Sequence, residues 1–281
     1  MKSPTDLITA KIIADSINKQ GDRMTTMEIE YPRFILSELN THRMLSKNSA
    51  SSRAIPIKKI IHQVWNEPAM PVHWGANISG MQAKNELSGW RLLLARNVWL
   101  TASKFACIFA YMLYYVGLHK QIGNRILEPW QFINVIVTST EWDNFFELRI
   151  HPDAQPEIKE LASAIFRCMN HSTPTLLKWG EWHLPYITKE ERKLRSVENL
   201  LKSSTARCAR VSYSNHDGSS PSFTKDIELH DRLVASRPIH ASPCEHQATP
   251  AGGEFFFKNF KGWVQYRDRV EQQIYGENDG Q

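Results

Sequence analysis

Polar and apolar residues alternate over residues 24–31 (Met-Thr-Thr-Met-Glu-Ile-Glu-Tyr), and Pro32 closes the run, so the pattern predicts a strand. Over residues 33–45 the spacing of Phe34, Ile35 and Leu39 becomes helical. The serine-rich stretch 46–52 offers its backbone alternative hydrogen bonds and reads as a loop. Helical spacing returns over 58–65, 89–117, 121–137, 141–149 and 155–169. A further helix is expected over 188–201, with Thr188 as N-cap and Glu191 at capping-box distance, and the last clear one over 225–236. Glycine and proline gather at 250–253, and 276–281 reads as a frayed tail. With no repeat, low-complexity segment or convincing linker, the expectation is one α+β domain over residues 1–281, rich in helix, with a small, mainly antiparallel sheet.

The chain has 281 residues, 42% hydrophobic and 22% charged, which suits a packed core and argues against disorder. The longest apolar candidate, 91–118, is interrupted by Arg96, Asn97, Ser103 and Lys104, and is expected to be a buried amphipathic helix instead of a membrane span. The N-terminus, with Lys2, Asp6 and Lys11, carries no signal-peptide pattern. Cys107, Cys168, Cys208 and Cys244 lie far apart with no Cys-x-x-Cys pair, which suits a reducing compartment, here the cytoplasm, and no cysteine-built metal site.

A net charge of +5 invites an anionic partner. Residues 39–66 hold no Asp or Glu but carry Arg43, Lys47, Arg53, Lys58 and Lys59. A second acid-free stretch, 199–216, holds Lys202, Arg207 and Arg210, and between the two lie Lys120 and Arg125. Cations mixed with serine and asparagine suit phosphate groups. A solvated basic face is at least as good a reading of composition alone. Nine tryptophans and eight tyrosines also leave a nucleic-acid-binding protein open.

More specific is His42-Arg43-Met44-Leu45-Ser46-Lys47-Asn48-Ser49-Ala50-Ser51-Ser52-Arg53. It resembles the signature of the flavin-dependent thymidylate synthases, His-Arg-x-x-Ser-x-Asn-x-x-Ser-x-Arg, at all six specified positions. Asn144-Phe145-Phe146-Glu147-Leu148-Arg149 with Ala154-Gln155, and Asn124-Arg125-Ile126-Leu127-Glu128-Pro129, are similar to two further segments of that family. Segments 205–213 and 240–246 (His-Ala-Ser-Pro-Cys-Glu-His) resemble two that normally precede the histidine–arginine motif, whereas here they follow it. The expectation is a circularly permuted version of the family fold, with 240–260 packed near the strand at 24–31. Residues 65–90 and 173–193 remain unmatched.

What the resemblance implies is synthesis of dTMP from dUMP, with methylenetetrahydrofolate as carbon donor, FAD as hydride carrier and NADPH as reductant. Related outcomes are methyl or hydroxymethyl transfer to another pyrimidine nucleotide. The same resemblance assigns Arg149 and Ser51 to the chemistry. His42, Arg43, Asn48, Asn144, His240 and Ser242 are assigned to the flavin. Glu38, Ser49, Ser51, Ser52, Arg53, Gln121, Arg125 and Arg149 are assigned to the nucleotide. It further implies a homotetramer with shared flavin sites, no membrane, no specific nucleic acid and no metal. Departures from the family pattern are Thr41 in place of its first arginine, Ser49 for an acid, Cys244 for phenylalanine and Asp153 where histidine is common. Two rival readings concern the C-terminal motif: a zinc site from His240, Cys244, Glu245 and His246, and Pro243-Cys244 as the thiol nucleophile of the flavin-free thymidylate synthases.

Overall fold

Thr9–Ile17 opens the sheet as β1, and a tight turn returns the chain as β2 (Arg23–Pro32). The computed structural model describes residues 4–80, 82–212, 222–236, 238–251 and 255–276; all but the first residue of the expected tail at 276–281, and parts of the 205–213 and 250–253 segments, lie outside them. After β2 come α1 (Leu36–Asn40), β3 (Ser46–Ser49), α2 (Ile57–Asn66) and α3 (Gly89–Tyr115). The short α4 (Lys120–Gly123) runs into a 3-10 helix, Asn124–Trp130, followed by β4 (Phe132–Ser139), α5 (Asp143–Arg149), α6 (Pro156–Asn170) and β5 (Thr175–Leu176). The remainder is α7 (Lys189–Leu194), α8 (Val197–Ala209), α9 (Phe223–Ala235) and a 3-10 turn at Ser242–Glu245. Short strands β6 (Ala248–Pro250), β7 (Phe256–Phe257), β8 (Phe260–Lys261) and β9 (Trp263–Gln265) then lead to α10 (Tyr266–Tyr275).

The fold is α+β and helix-rich around a five-stranded sheet of order β3-β4-β2-β1-β5. All its pairings are antiparallel except β1 with β5. Because side chains alternate along a strand, β2 sends Met27, Ile29 and Tyr31 into one core, where Ile133, Val135 and Val137 of β4 and Ile158, Leu161 and Ile165 of α6 meet them. Thr26 of β2 sits directly across from Thr138 of β4 on the opposite face.

That opposite face is closed by the C-terminal part of the chain through a polar seam. Ser16 Oγ lies 2.8 Å from His183 Nδ1, and His183 Nε2 lies 2.8 Å from Thr26 Oγ1. Thr26 Oγ1 is 2.7 Å from Thr138 Oγ1, which is 2.8 Å from His246 Nδ1. Beside this seam Met24 packs with Leu177, Ala248, Phe260 and Trp263, whose indole N–H donates to the Asp22 carbonyl. Gly262 adopts a positive φ of 70°, and a Cβ there would strike Asp22 and Asn18, so glycine is what lets the β8–β9 turn meet the β1–β2 turn. The proximity that the permuted motif order requires is therefore present.

Several expectations change. Residues 46–49 form an edge strand, and the loop begins only at Ala50. The helix expected to reach Leu45 stops at Asn40. The one expected over 121–137 breaks near Pro129, and its second half is β4, whose β-branched residues Ile133, Val135, Ile136, Val137 and Thr138 favour the pleated surface. The 188–201 segment divides into α7, with the Thr188–Glu191 capping box as expected, and α8, which Ser196 caps anew. No element is expected at Thr9–Ile17 or Tyr266–Tyr275, yet both are ordered.

The largest correction concerns α3, which is not buried. Of its residues Ser103, Ala106, Cys107 and Ala110 are fully buried, against α2 and the Asn124–Trp130 helix, while Leu93, Leu94, Val98, Phe105, Ile108 and Phe109 are exposed. Apolar residues run around most of the helix, and its small ones face inward because they allow α2 to approach. Among the described residues it is the one helix long and apolar enough to cross a membrane, judged by length and composition alone.

Candidate functional site

Helix α5 is anchored by Phe145, buried in the main core, and four residues later the same side carries Arg149 toward the end of α1. Arg149 Nε donates to His42 Nε2 at 2.8 Å, and Arg149 Nη2 donates to Thr41 Oγ1 at 3.0 Å. Phe145 packs edge-on against the His42 ring, with centroids 4.9 Å apart. Burial, then the charges of Arg149 and Lys47, hold the His42 pKa down to about 4. The ring is therefore neutral near pH 7, with Nε2 as acceptor and the proton on Nδ1. Lys47, pulled down to about 8 by burial, donates from Nζ to the Leu39 and His42 carbonyls, closing the end of α1. It supports the site's frame.

A second group forms beyond the other end of β3. Ser52 Oγ donates to Glu128 Oε1 at 3.3 Å, and Arg125 and Arg33 reach the same oxygen at 2.9 and 3.2 Å. Buried Asn124 donates to the Ser52 and Ile55 carbonyls, and Lys120 Nζ to the Ala54 carbonyl. These contacts fix the loop that carries Ser51, Ser52 and Arg53 beside α4, which carries Gln121. Arg53 and Gln121 are exposed, and Ser49 and Ser51 are half-buried. Sequence reasoning missed Asn124, Glu128 and Arg33 as the frame of this loop. The Asn124-Arg125 segment was the available signal, read there only for its arginine.

Between the two groups lies β3. Asn48 Nδ2 donates to the Cys208 carbonyl, which ties the strand to the end of α8, and the Ser242–Glu245 turn packs on the same strand. A ligand touching both groups must span the strand, on the order of 10 Å. Arg43, Asn144, His240 and Ser242 are exposed, and their side chains make no hydrogen bond to another described residue. A guanidinium, an amide, an imidazole and a hydroxyl suit the phosphates and ring edges of an anionic dinucleotide such as FAD. Among the residues expected to touch flavin, His42 and Asn48 instead turn inward and bond to protein. The Glu38 carboxylate accepts from Ser37, while its backbone carbonyl is 3.5 Å from Arg149 Nη2.

The second acid-free stretch is not a phosphate patch. Arg207 is engaged by Asp226 and Glu191, Arg210 by Asp226, and Lys202 by Asp231. The zinc reading also fails: His246 is committed at Nδ1 to Thr138, Glu245 pairs with Arg267, and no metal-holding group of His, Cys, Asp or Glu occurs among the described residues. Cys244 is fully buried, and that burial pushes its thiol up to about 12, so it is a poor nucleophile at neutral pH.

No protein-family model matches the chain, and no curated protein matches it. Among solved structures, the UMP/dUMP methylase PolB from Streptomyces cacaoi, bound with 5-Br dUMP, superposes with a TM-score of 0.48 at 15% identity, over 58% of this chain and 89% of that one. The flavin-dependent thymidylate synthase ThyX from Helicobacter pylori, complexed with FAD and dUMP, superposes with a TM-score of 0.36 at 17% identity, over 52% of this chain and 67% of that one. The chain is thus similar, over a little more than half its length, to a nucleotide methylase and a flavin-dependent thymidylate synthase.

Proposed function

We propose that this protein is a flavin-dependent enzyme of uridine-nucleotide methylation, forming dTMP from dUMP with methylenetetrahydrofolate as carbon donor and NADPH as reductant. The observation that carries the reading is the setting of Arg149. Arg23, Arg33, Arg207, Arg210 and Arg267 each pair with a carboxylate. Arg149 is held by an imidazole nitrogen and a hydroxyl, both uncharged, and keeps its full positive charge for a ligand. It ends the Asn-Phe-x-x-Leu-Arg segment that the family resemblance assigns to the chemistry.

FAD, where bound, supplies a two-electron hydride carrier, and Arg43, Asn144, His240 and Ser242 are the residues that would hold it. Carbon transfer from methylenetetrahydrofolate gives uracil C5 one CH2 unit; a hydride originating from NADPH, with one proton, makes up the remaining hydrogens of product and tetrahydrofolate. When hydride reaches the pyrimidine ring, negative charge builds there, and the Arg149 guanidinium stabilises it with no proton transfer of its own. Ser51 and the neighbouring loop N–H groups bind ligand oxygens, and Arg53 grips the phosphate as a fork. Arg125 lends part of its charge, shared with Glu128.

Assembly belongs to the same proposal. The exposed apolar surface of α3 is on the order of 1,000 Å², above the few hundred Å² usual on a monomer and of the size one partner buries in a standard interface. It suits self-association into the tetramer that the resemblance implies, which would let one copy's Arg149 group meet another's Ser51–Arg53 loop.

Anaerobic reduction with NADPH in the presence of added FAD, followed by flavin absorbance, tests the reading. Reoxidation only when dUMP and methylenetetrahydrofolate are both added supports it, and mass spectrometry of the product separates methyl from hydroxymethyl transfer. A protein that binds no flavin, or whose reduced flavin ignores both substrates, overturns it.

A further inference from the structure

Thr41 stands where the resembling family has a cation, and the structure gives its hydroxyl a defined task. The hydroxyl has one proton, and Thr41 Oγ1 donates it to the Glu38 carbonyl at 2.7 Å. The oxygen can then only accept from Arg149 Nη2, 3.0 Å away. On the guanidinium's other flank, His42 Nε2 accepts from Nε at 2.8 Å. Nη2 also donates to the Glu38 carbonyl at 3.5 Å, so of the five N–H groups of Arg149 those at Nε and Nη2 are committed and the two at Nη1 remain.

We infer that Thr41 is a positioning residue: with His42 it clamps the Arg149 guanidinium through uncharged acceptors and leaves the remaining N–H groups facing an anionic nucleotide. This deepens the proposed function and rests on it for the identity of that nucleotide. The clamp also gives the substitution at position 41 a physical sense. An arginine here carries only donors and offers Arg149 no acceptor, and an aspartate would neutralise it. A hydroxyl fixes the fork and leaves its charge intact. Thr41 is exposed, so replacing it removes the bond without opening the core.

The test uses the full-length protein labelled with 15N in its arginine side chains, with Thr41→Val, Thr41→Ser and Arg149→Lys variants, the last to assign the Arg149 signals. In the native protein the Arg149 guanidinium shows slowed rotation, with resolved Nη resonances. Thr41→Val merges them and Thr41→Ser keeps them. In turnover, Thr41→Val lowers kcat about tenfold with the dUMP KM changed by less than about threefold, and Thr41→Ser restores it. Unchanged Arg149 resonances in Thr41→Val, or a kcat loss that serine does not restore, overturn the inference. If the resonances behave as expected while the native protein never turns over dUMP, the clamp stands and the proposed function falls.

Discussion

Arg149 illustrates how much a side chain's neighbours decide. A lysine keeps the charge but offers one ammonium in place of a planar fork, so Arg149→Lys is expected to lose activity on the order of 100-fold in a steady-state assay. Cys244→Ala should behave oppositely, retaining most turnover while lowering stability by about 1–2 kcal/mol in a urea titration, because the thiol packs and does not react. The twelve-residue signature was legible in the sequence because its spacing is local. The clamp on Arg149 was not, since it exists only once α5 lies beside α1. Nor was the neutralisation of Arg207 and Arg210, whose partner Asp226 is 19 and 16 residues away on another helix.

Buried histidines add a pH dependence. Burial holds His183 and His246 down to about 3, against an unfolded value of about 6.5. The unfolded chain therefore binds more protons throughout that interval, and stability rises with pH across it. The contribution is complete above about 6.5 and drains away as pH falls toward 3. Urea midpoints at pH 7, 5.5 and 4.5 should decline in that order, and His246→Gln, less stable at pH 7, should show a shallower decline.

At the scale of elements, caps were easier to read than interiors. Thr188 and Glu191 announce α7, but nothing local shows that Ser196 starts a new helix; Ser196→Ala should cost about 1 kcal/mol by thermal melting. Residues 132–139 sit inside a longer stretch of helical spacing, and their β-branched composition together with their place between β3 and β2 makes them a strand. For α3 the apolar composition was plain, but whether it faced inward depended on small residues finding α2. Leu94→Glu or Phe109→Glu should leave the fold intact and shift the light-scattering mass of the native protein toward the monomer; an unchanged mass would place self-association elsewhere.

Taken whole, the molecule is a sheet with two differently made faces. One is apolar and is completed by α5 and α6, which follow the strands closely in sequence. The other is polar and is completed by residues 183 and 246. The order in which the resembling segments follow one another was visible beforehand because each keeps a local pattern. What joins them was not visible, because Thr26, Thr138 and the two histidines look like ordinary polar residues until they are stacked together.

That seam has a consequence for synthesis. All five strands of the central sheet have been made by residue 176, yet Thr138 has no imidazole beside it until residue 246 emerges. At ribosomal speeds of roughly 5–20 residues per second, the growing chain waits about 4–14 s with half its sheet uncovered. The nascent protein should stay open to protease through that interval and become resistant only as the last hairpin arrives.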